Sequence, residues 1–275
     1  MVRKKIIGHD FQKKILLNQY SRSNNWLFIG KEGVGKRSLV MSFISWLFNV
    51  DDPQNNTNVL CCTALKVEQV RELQDFLSTY SSEEYKVIVI DDIDKMNVFS
   101  QTALLRLIEN TSIKVLIFLI STTSNNIERT LSSRCRKLYF SPLKDLDMIK
   151  LIGKKNIDLG LLELSAGSYG KYQQFKQENI KDFYKGLLES IAWKQKLDYF
   201  YKHPFFFELI EMVLFRALNI YNLSAEIIVG EIKLLSTISQ WFSMSHYFQY
   251  LSFMLNIREF GLDIRYMESV IFYVE

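Results

Sequence analysis

The sequence predicts an α/β domain, a parallel sheet flanked by helices, followed by two all-helical segments. Up to about residue 140, short apolar runs alternate with amphipathic stretches, the pattern of βαβ units around a parallel sheet. Beyond that point the chain reads almost entirely as helix. Two of the three prolines stand where breaks are expected, Pro142 after the last strand-like segment and Pro204 inside the helical half. The expected division is 1–142 for the sheet domain, 143–182 for a small helical segment and 183–275 for a helical bundle.

Trp26-Leu27-Phe28-Ile29, Lys86-Val87-Ile88-Val89-Ile90 and Val115-Leu116-Ile117-Phe118-Leu119-Ile120 are compact apolar runs, as central strands buried on both faces require. Between them, Val70, Leu73 and Leu77 share one helical face, and Ala103, Leu104, Leu107 and Ile108 share another, so both segments are expected as crossover helices. Lys137 to Phe140 is expected as a further strand, and Asp51 to Asn58 as a loop inside the first domain. In the last part, residues 205 to 255 carry apolar side chains from Phe205, Phe206 and Phe207 to Trp241, Phe248 and Leu251. That is more than a short bundle readily buries alone, so this segment is expected to drive oligomerisation.

Composition bounds the function. In the 275 residues, 48% are hydrophobic and 23% charged, a balance that supports a folded core and excludes extended disorder. No apolar run approaches the roughly 20 residues of a membrane span. The basic start Met1 to Lys5 leads only to Ile6-Ile7-Gly8 before His9-Asp10, so a cytoplasmic protein with no membrane partner is expected. The formal charge of +4 is weaker than a dedicated DNA-binding domain would show, and no recognition-helix signature stands out. Cys61, Cys62 and Cys135 cannot form a disulfide framework, and His9, His203 and His246 stand far apart, so no metal site can be assembled from sequence alone.

The chemistry-bearing motif is Gly30-Lys31-Glu32-Gly33-Val34-Gly35-Lys36-Arg37-Ser38. It follows a strand and opens a helix from Leu39 to Phe48, where backbone amides and the helix N-terminus can surround phosphates, so it is a P-loop. The position after Lys36 should offer a hydroxyl to Mg²⁺, and Arg37 stands there, with Ser38 one residue late. A cation there can favour phosphate but cannot coordinate the metal, and the bland reading is a loop kept for shape. Asp91, at the end of the second apolar run, stands where a metal-linked carboxylate is expected, while the bland reading of these acids is a solvated loop in which Asp94 caps a helix.

The order of the P-loop, Ile90-Asp91-Asp92-Ile93-Asp94-Lys95-Met96, Ala103 to Glu109 and Ser133-Arg134-Cys135 resembles the AAA+ clamp-loader family of bacterial DNA polymerase III, most closely its delta-prime type. The match covers residues 6 to about 170, with Ser165 to Gly170 similar to the family's lid segment, and the C-terminal hundred residues agree only in helical character. The resemblance implies an AAA+ module, an all-α lid and an all-α collar through which subunits assemble. It implies sensor-like positions at Ser121 and Thr122, and an arginine finger at Arg134 reaching into a neighbour's ATP site with Ser133 and Cys135 in support. Such a guanidinium is worth about 10³ to 10⁵ in rate. The bland reading of Arg134 is a surface arginine near Arg129, Arg136 and Lys137, and that of Cys135 is packing.

Many AAA+ ATPases follow the metal-linked aspartate with a glutamate, and Asp92 is one methylene shorter. Misplacing a catalytic group by about 1 Å costs on the order of a hundredfold. Arg37 and Asp92 together argue against efficient turnover, as the delta-prime type implies. Family members often carry a four-cysteine zinc module between P-loop and acidic strand, and with only Cys61-Cys62 there, zinc is not expected. The implied partners are gamma/tau-like and delta-like clamp-loader subunits, the sliding clamp indirectly, and primed DNA through the assembled complex. No cofactor is required, although residual ATP or ADP binding is compatible with the loop. The alternative is an ATP-hydrolysing gamma-type subunit, or another AAA+ ATPase such as a helicase loader, in which Ser38 or water replaces the missing metal ligand.

Overall fold

The computed structural model of the chain describes residues 6–79, 84–110, 114–223, 226–260 and 267–272. The elements run α1 (Asp10–Gln19), β1 (Asn25–Gly30), α2 (Lys36–Phe48), β2 (Val59–Thr63), α3 (Val67–Ser78), β3 (Lys86–Asp91), α4 (Val98–Glu109), β4 (Val115–Ser121), α5 (Arg129–Ser133) and β5 (Arg136–Phe140). Helices follow: α6 (Asp145–Ile152), α7 (Leu159–Ser165), α8 (Tyr169–Gln177), α9 (Ile180–Ala192), α10 (Phe206–Leu218), α11 (Glu231–Ser239), α12 (Met244–Phe260) and α13 (Met267–Phe272). Contacts group the chain into two compact units, residues 1–157 with 165–171, and residues 158–164 with 172–275.

In the first unit the five strands form one all-parallel sheet in the order β2-β3-β4-β1-β5. Side chains alternate along each strand, so each apolar run feeds two cores. Trp26, Phe28, Val87, Val89, Leu116, Phe118 and Ile120 pack under α1 and α2 with Leu16, Leu39, Val40, Phe43 and Ile44. Leu27, Ile29, Ile88, Ile90, Ile117 and Leu119 face Val70 and Leu73 of α3 and Leu104, Leu107 and Ile108 of α4. Every residue of β4 is buried, which is why that run reads as unbroken hydrophobic sequence. Of the two crossover faces expected from the sequence, Leu77 and Ala103 are only partly buried at their margins.

Three local features differ from expectation. Asp94 lies inside a short 3₁₀ turn at Ile93–Lys95, and the residue that caps α4 is Asn97, whose side chain accepts from the Ser100 amide at 2.8 Å. The stretch Val59–Thr63, considered in the sequence only for its cysteines, is an edge strand; Cys61 packs toward the α2 face and Cys62 toward the α3–α4 face. The segment 143–157, expected to begin a separate lid, groups with the sheet unit. One tie is the Leu143 amide, which donates to the Gly167 carbonyl at 2.8 Å across a turn built on positive φ at Ala166 and Gly167.

The second unit is helical. Leu187, Leu188 and Ile191 of α9, Leu209, Ile210, Val213 and Leu214 of α10 and Leu235 and Ile238 of α11 are buried. Much of the apolar surface singled out in residues 205–255 is thus consumed internally: Phe206 and Phe242 are buried, whereas Phe215 and Phe248 remain exposed. A polar knot sits in this core. The Glu231 carboxylate accepts from Tyr184 Oη (2.7 Å), Arg216 Nε (2.8 Å), Arg216 Nη2 (3.1 Å) and the Ile227 amide, while Arg216 Nη1 reaches Glu163 at 3.2 Å. Burial would lower the Arg216 pKa, and the Glu231 hydrogen bonds and charge outweigh it and hold it up. Burial, with Glu231 alongside, pushes the Tyr184 phenol well above its ordinary range. Among the described residues no helix is long and apolar enough to cross a membrane.

Candidate functional site: the P-loop cleft

All five strands point their carboxyl ends to one edge of the sheet, and the loops leaving β1, β3 and β4 converge there. Gly30, at the end of β1, abuts β5 so closely that a Cβ would strike the Phe140 carbonyl. The loop then turns through Gly33 (φ 72°) and Gly35 (φ 106°), conformations a side chain would strain, into α2 at Lys36.

Six consecutive carbonyls of this loop are each engaged. Lys36 Nζ donates to Gly30 O and to Lys31 O (2.8 Å), Ser168 Oγ to Glu32 O (2.9 Å), and the Gly170 amide to Gly33 O (3.0 Å). His9 Nε2 lies 2.8 Å from Val34 O, and the Leu39 amide donates to Gly35 O at 3.0 Å. Among the described residues, no acceptor takes the amides of Gly33 to Ser38. Successive unpaired amides at a helix start form an anion-binding concavity, so the loop is held in a phosphate-receiving shape by its own chain. The tie at His9, a residue 25 positions before Val34, leaves no local pattern in the sequence. The Ser165–Gly170 stretch was expected only as similar to the family's lid segment, and its contact with Gly33 depends on two glycines, since a Cβ on either Gly33 or Gly170 would crowd the Cα of the other.

The loop opens on a cleft of about 1130 Å³. Its lining includes the apolar Ile6, Ile7, Leu143 and Leu151 together with the polar Lys36, Arg37, Ser38, Asp91, Asp92, Ser121 and Thr122. Apolar side chains in the same cleft as a phosphate-receiving loop suit a nucleotide. Burial lowers the Lys36 pKa, against the raising influence of Asp91, Asp94, Glu32 and Asp92.

Arg37 and Asp91, 54 positions apart in sequence, meet here: Arg37 Nη1 donates to Asp91 Oδ2 at 3.2 Å. Asp91 Oδ1 accepts the Asp92 amide at 3.1 Å, and Asp92 itself, at φ 53°, pairs with Lys95 at 2.7 Å. The Ser121 hydroxyl donates to Thr123 O, and that of Thr122 to Asp94 Oδ2. A magnesium ion, which P-loop sites ordinarily hold through a hydroxyl and this carboxylate, does not fit this donor set. The hydroxyl is replaced by a guanidinium, and the carboxylate is already bound to it. Among the described residues no group of three or more His, Cys, Asp or Glu is arranged to hold a metal.

Arg134 lies outside the cleft lining, at the C-terminal end of α5. Its Nε pairs with Glu109 at the end of α4 at 2.7 Å, and Nη1 donates to Thr130 O at 3.1 Å, with 45% of the side chain exposed. Ser133 is exposed and donates to Thr130 O, whereas Cys135 is buried against the α3–α4 core, where burial pushes its thiol up to about 12.

Residues 55–144 match the protein-family profile described as DNA polymerase III, delta subunit. Replication factor C subunit 3 of Schizosaccharomyces pombe is 27% identical over 164 residues, covering 55% of this chain and 48% of that protein. DNA polymerase III subunit tau of Bacillus subtilis is 25% identical over 193 residues, covering 59% of this chain and 33% of that protein. The chain therefore spans half or less of the length of these curated relatives. A crystal structure of a DNA polymerase III gamma subunit-related protein from Thermotoga maritima aligns over 96% of this chain and 92% of that one, with 15% identity and a TM-score of 0.49.

Proposed function

We propose that the chain is a delta-prime-like clamp-loader subunit, with the first unit as its AAA+ module, and that it does not itself turn over ATP. In this reading it lends Arg134 to the ATP site of a neighbouring gamma/tau-like subunit, assembles with that subunit and a delta-like one, and helps place the sliding clamp on primed DNA during replication.

The observation that carries the reading is the Arg37–Asp91 ion pair. Phosphoryl transfer by P-loop proteins depends on a metal held between a loop hydroxyl and this carboxylate, and on a group that orients the attacking water. Here the first position is a cation, the carboxylate is engaged by it, and Asp92 is turned toward Lys95. Arg134 supports the other half of the reading. Its contacts are an exposed ion pair, worth about 0–1 kcal/mol, and one carbonyl hydrogen bond, so exchanging Glu109 for a neighbour's phosphate costs little. The helical second unit, with Phe215 and Phe248 exposed, is the proposed collar.

Single-turnover hydrolysis of ATP by the isolated full chain tests the proposal. Conversion at the uncatalysed background is expected. Robust turnover that Lys36→Ala abolishes would instead establish the gamma-type reading, which draws its support from the organised P-loop and the open cleft.

A further inference from the structure

We propose that Arg37 takes the place of the metal ion in this cleft, so that the site binds a nucleoside polyphosphate as the free anion rather than as its magnesium complex. The inference rests on the cleft being a nucleotide site and extends it to the ligand's form.

A divalent ion in a P-loop site bridges the acidic strand and the phosphate oxygens. Arg37 already makes the protein half of that bridge: one N–H of its Nη1 contacts Asp91 Oδ2, and among the described residues the guanidinium makes no other hydrogen bond. A guanidinium carries five N–H donors in a planar fork, so donors remain for phosphate oxygens after Asp91 is satisfied. Arg37 lines the same cleft as Lys36, beside the unpaired amides of residues 33–38. Donors for a polyphosphate are therefore present without a metal.

Magnesium works against this arrangement in two ways. To reach Asp91 it must break the ion pair and sit beside a cation that cannot lose its proton. In solution it also occupies the phosphate oxygens that Arg37 would take. The sign of the metal effect is thus opposite to that of a P-loop site with a hydroxyl after its lysine.

The test is equilibrium binding of ADP carrying a ribose-linked fluorophore to the full chain, in excess EDTA and in millimolar Mg²⁺, with no hydrolysis read. Wild type should bind in EDTA at least as tightly as in Mg²⁺. Arg37→Thr, which supplies the hydroxyl and frees Asp91, should weaken binding in EDTA by about tenfold or more, the scale of one charge-assisted contact, and should bind more tightly when Mg²⁺ is added. Arg37→Lys, which keeps the charge but not the fork, should retain metal-independent binding at reduced affinity and guards against a folding defect in the threonine variant. Wild-type binding only in Mg²⁺, no binding in EDTA, or an unchanged metal response in Arg37→Thr would overturn the proposal. None of these outcomes depends on ATP turnover, so the non-hydrolysing reading stands or falls separately.

Discussion

Replacing Glu231 by glutamine should cost the helical unit more than any other isosteric change in the chain. The carboxylate is fully buried and takes four donors, with Tyr184 Oη and Arg216 Nε on one oxygen, and Arg216 Nη2 and the Ile227 amide on the other. A glutamine keeps the shape, but whichever way its amide turns, an NH₂ group faces two donors. The Arg216 charge, on a side chain only 4% exposed, then loses its fully buried carboxylate partner, while Glu163 beside it is 42% exposed. Breaking a buried pair from one side costs about 3–5 kcal/mol, because the surviving charge stays desolvated. With a urea m-value of about 1.5 kcal/mol per molar, the midpoint should fall by roughly 2–3 M. Because the chain groups into two compact units, amide exchange in α9, α10 and α11 is the specific readout beside circular dichroism. The double change Arg216→Met with Glu231→Leu should cost less than either single one. A midpoint shift under about 0.5 M for Glu231→Gln would refute this account of the core.

Two further outcomes follow from the first unit. Gly33→Ala should destabilise it by about 1–2 kcal/mol or more, since φ 72° strains a side chain and the added Cβ meets Ser168 Oγ and Gly170 Cα; urea unfolding measures it. Cys135 has its thiol pKa raised to about 12 by burial, so its contribution to stability is complete below the unfolded value near 9 and is lost as pH rises from there toward 12. The native thiol should accordingly resist a disulfide reagent at pH 8 until the protein is unfolded, which a timed thiol assay detects.

The central strands were legible because each is buried on both faces and so carries an unbroken apolar run. The edge strand β2 was not, because Leu60, Cys61 and Cys62 are only half-buried and the run begins just after a polar loop. The helix α1 was equally silent, burying only Leu16 along ten residues. The P-loop and Asp91 could be found from local spacing, whereas the ion pair joining Arg37 to Asp91 spans two strands of the sheet order and leaves no local trace. The same holds for Glu231, whose partners Tyr184 and Arg216 come from helices 47 and 15 residues earlier. Residues 143–157, beyond the boundary expected at Pro142, group by contacts with the sheet unit, since a proline ends a strand without deciding which core the next helix joins.

Arg134 offers the most direct test of the proposed role, because its action is made in trans and no self-contained enzyme would need it. Arg134→Ala should leave the chain folded, with a loss of about 1 kcal/mol at most from the exposed pair with Glu109. It should also leave assembly with gamma/tau-like and delta-like subunits intact. ATP turnover by the assembled complex should fall, several-fold if one of several sites depends on this guanidinium, and clamp loading onto primed DNA should fall further. Arg134→Lys should not restore either, because an ammonium lacks the planar fork. Wild-type ATPase and clamp loading in a fully assembled Arg134→Ala complex would contradict the account and return Arg134 to the surface it shares with Arg129 and Arg136.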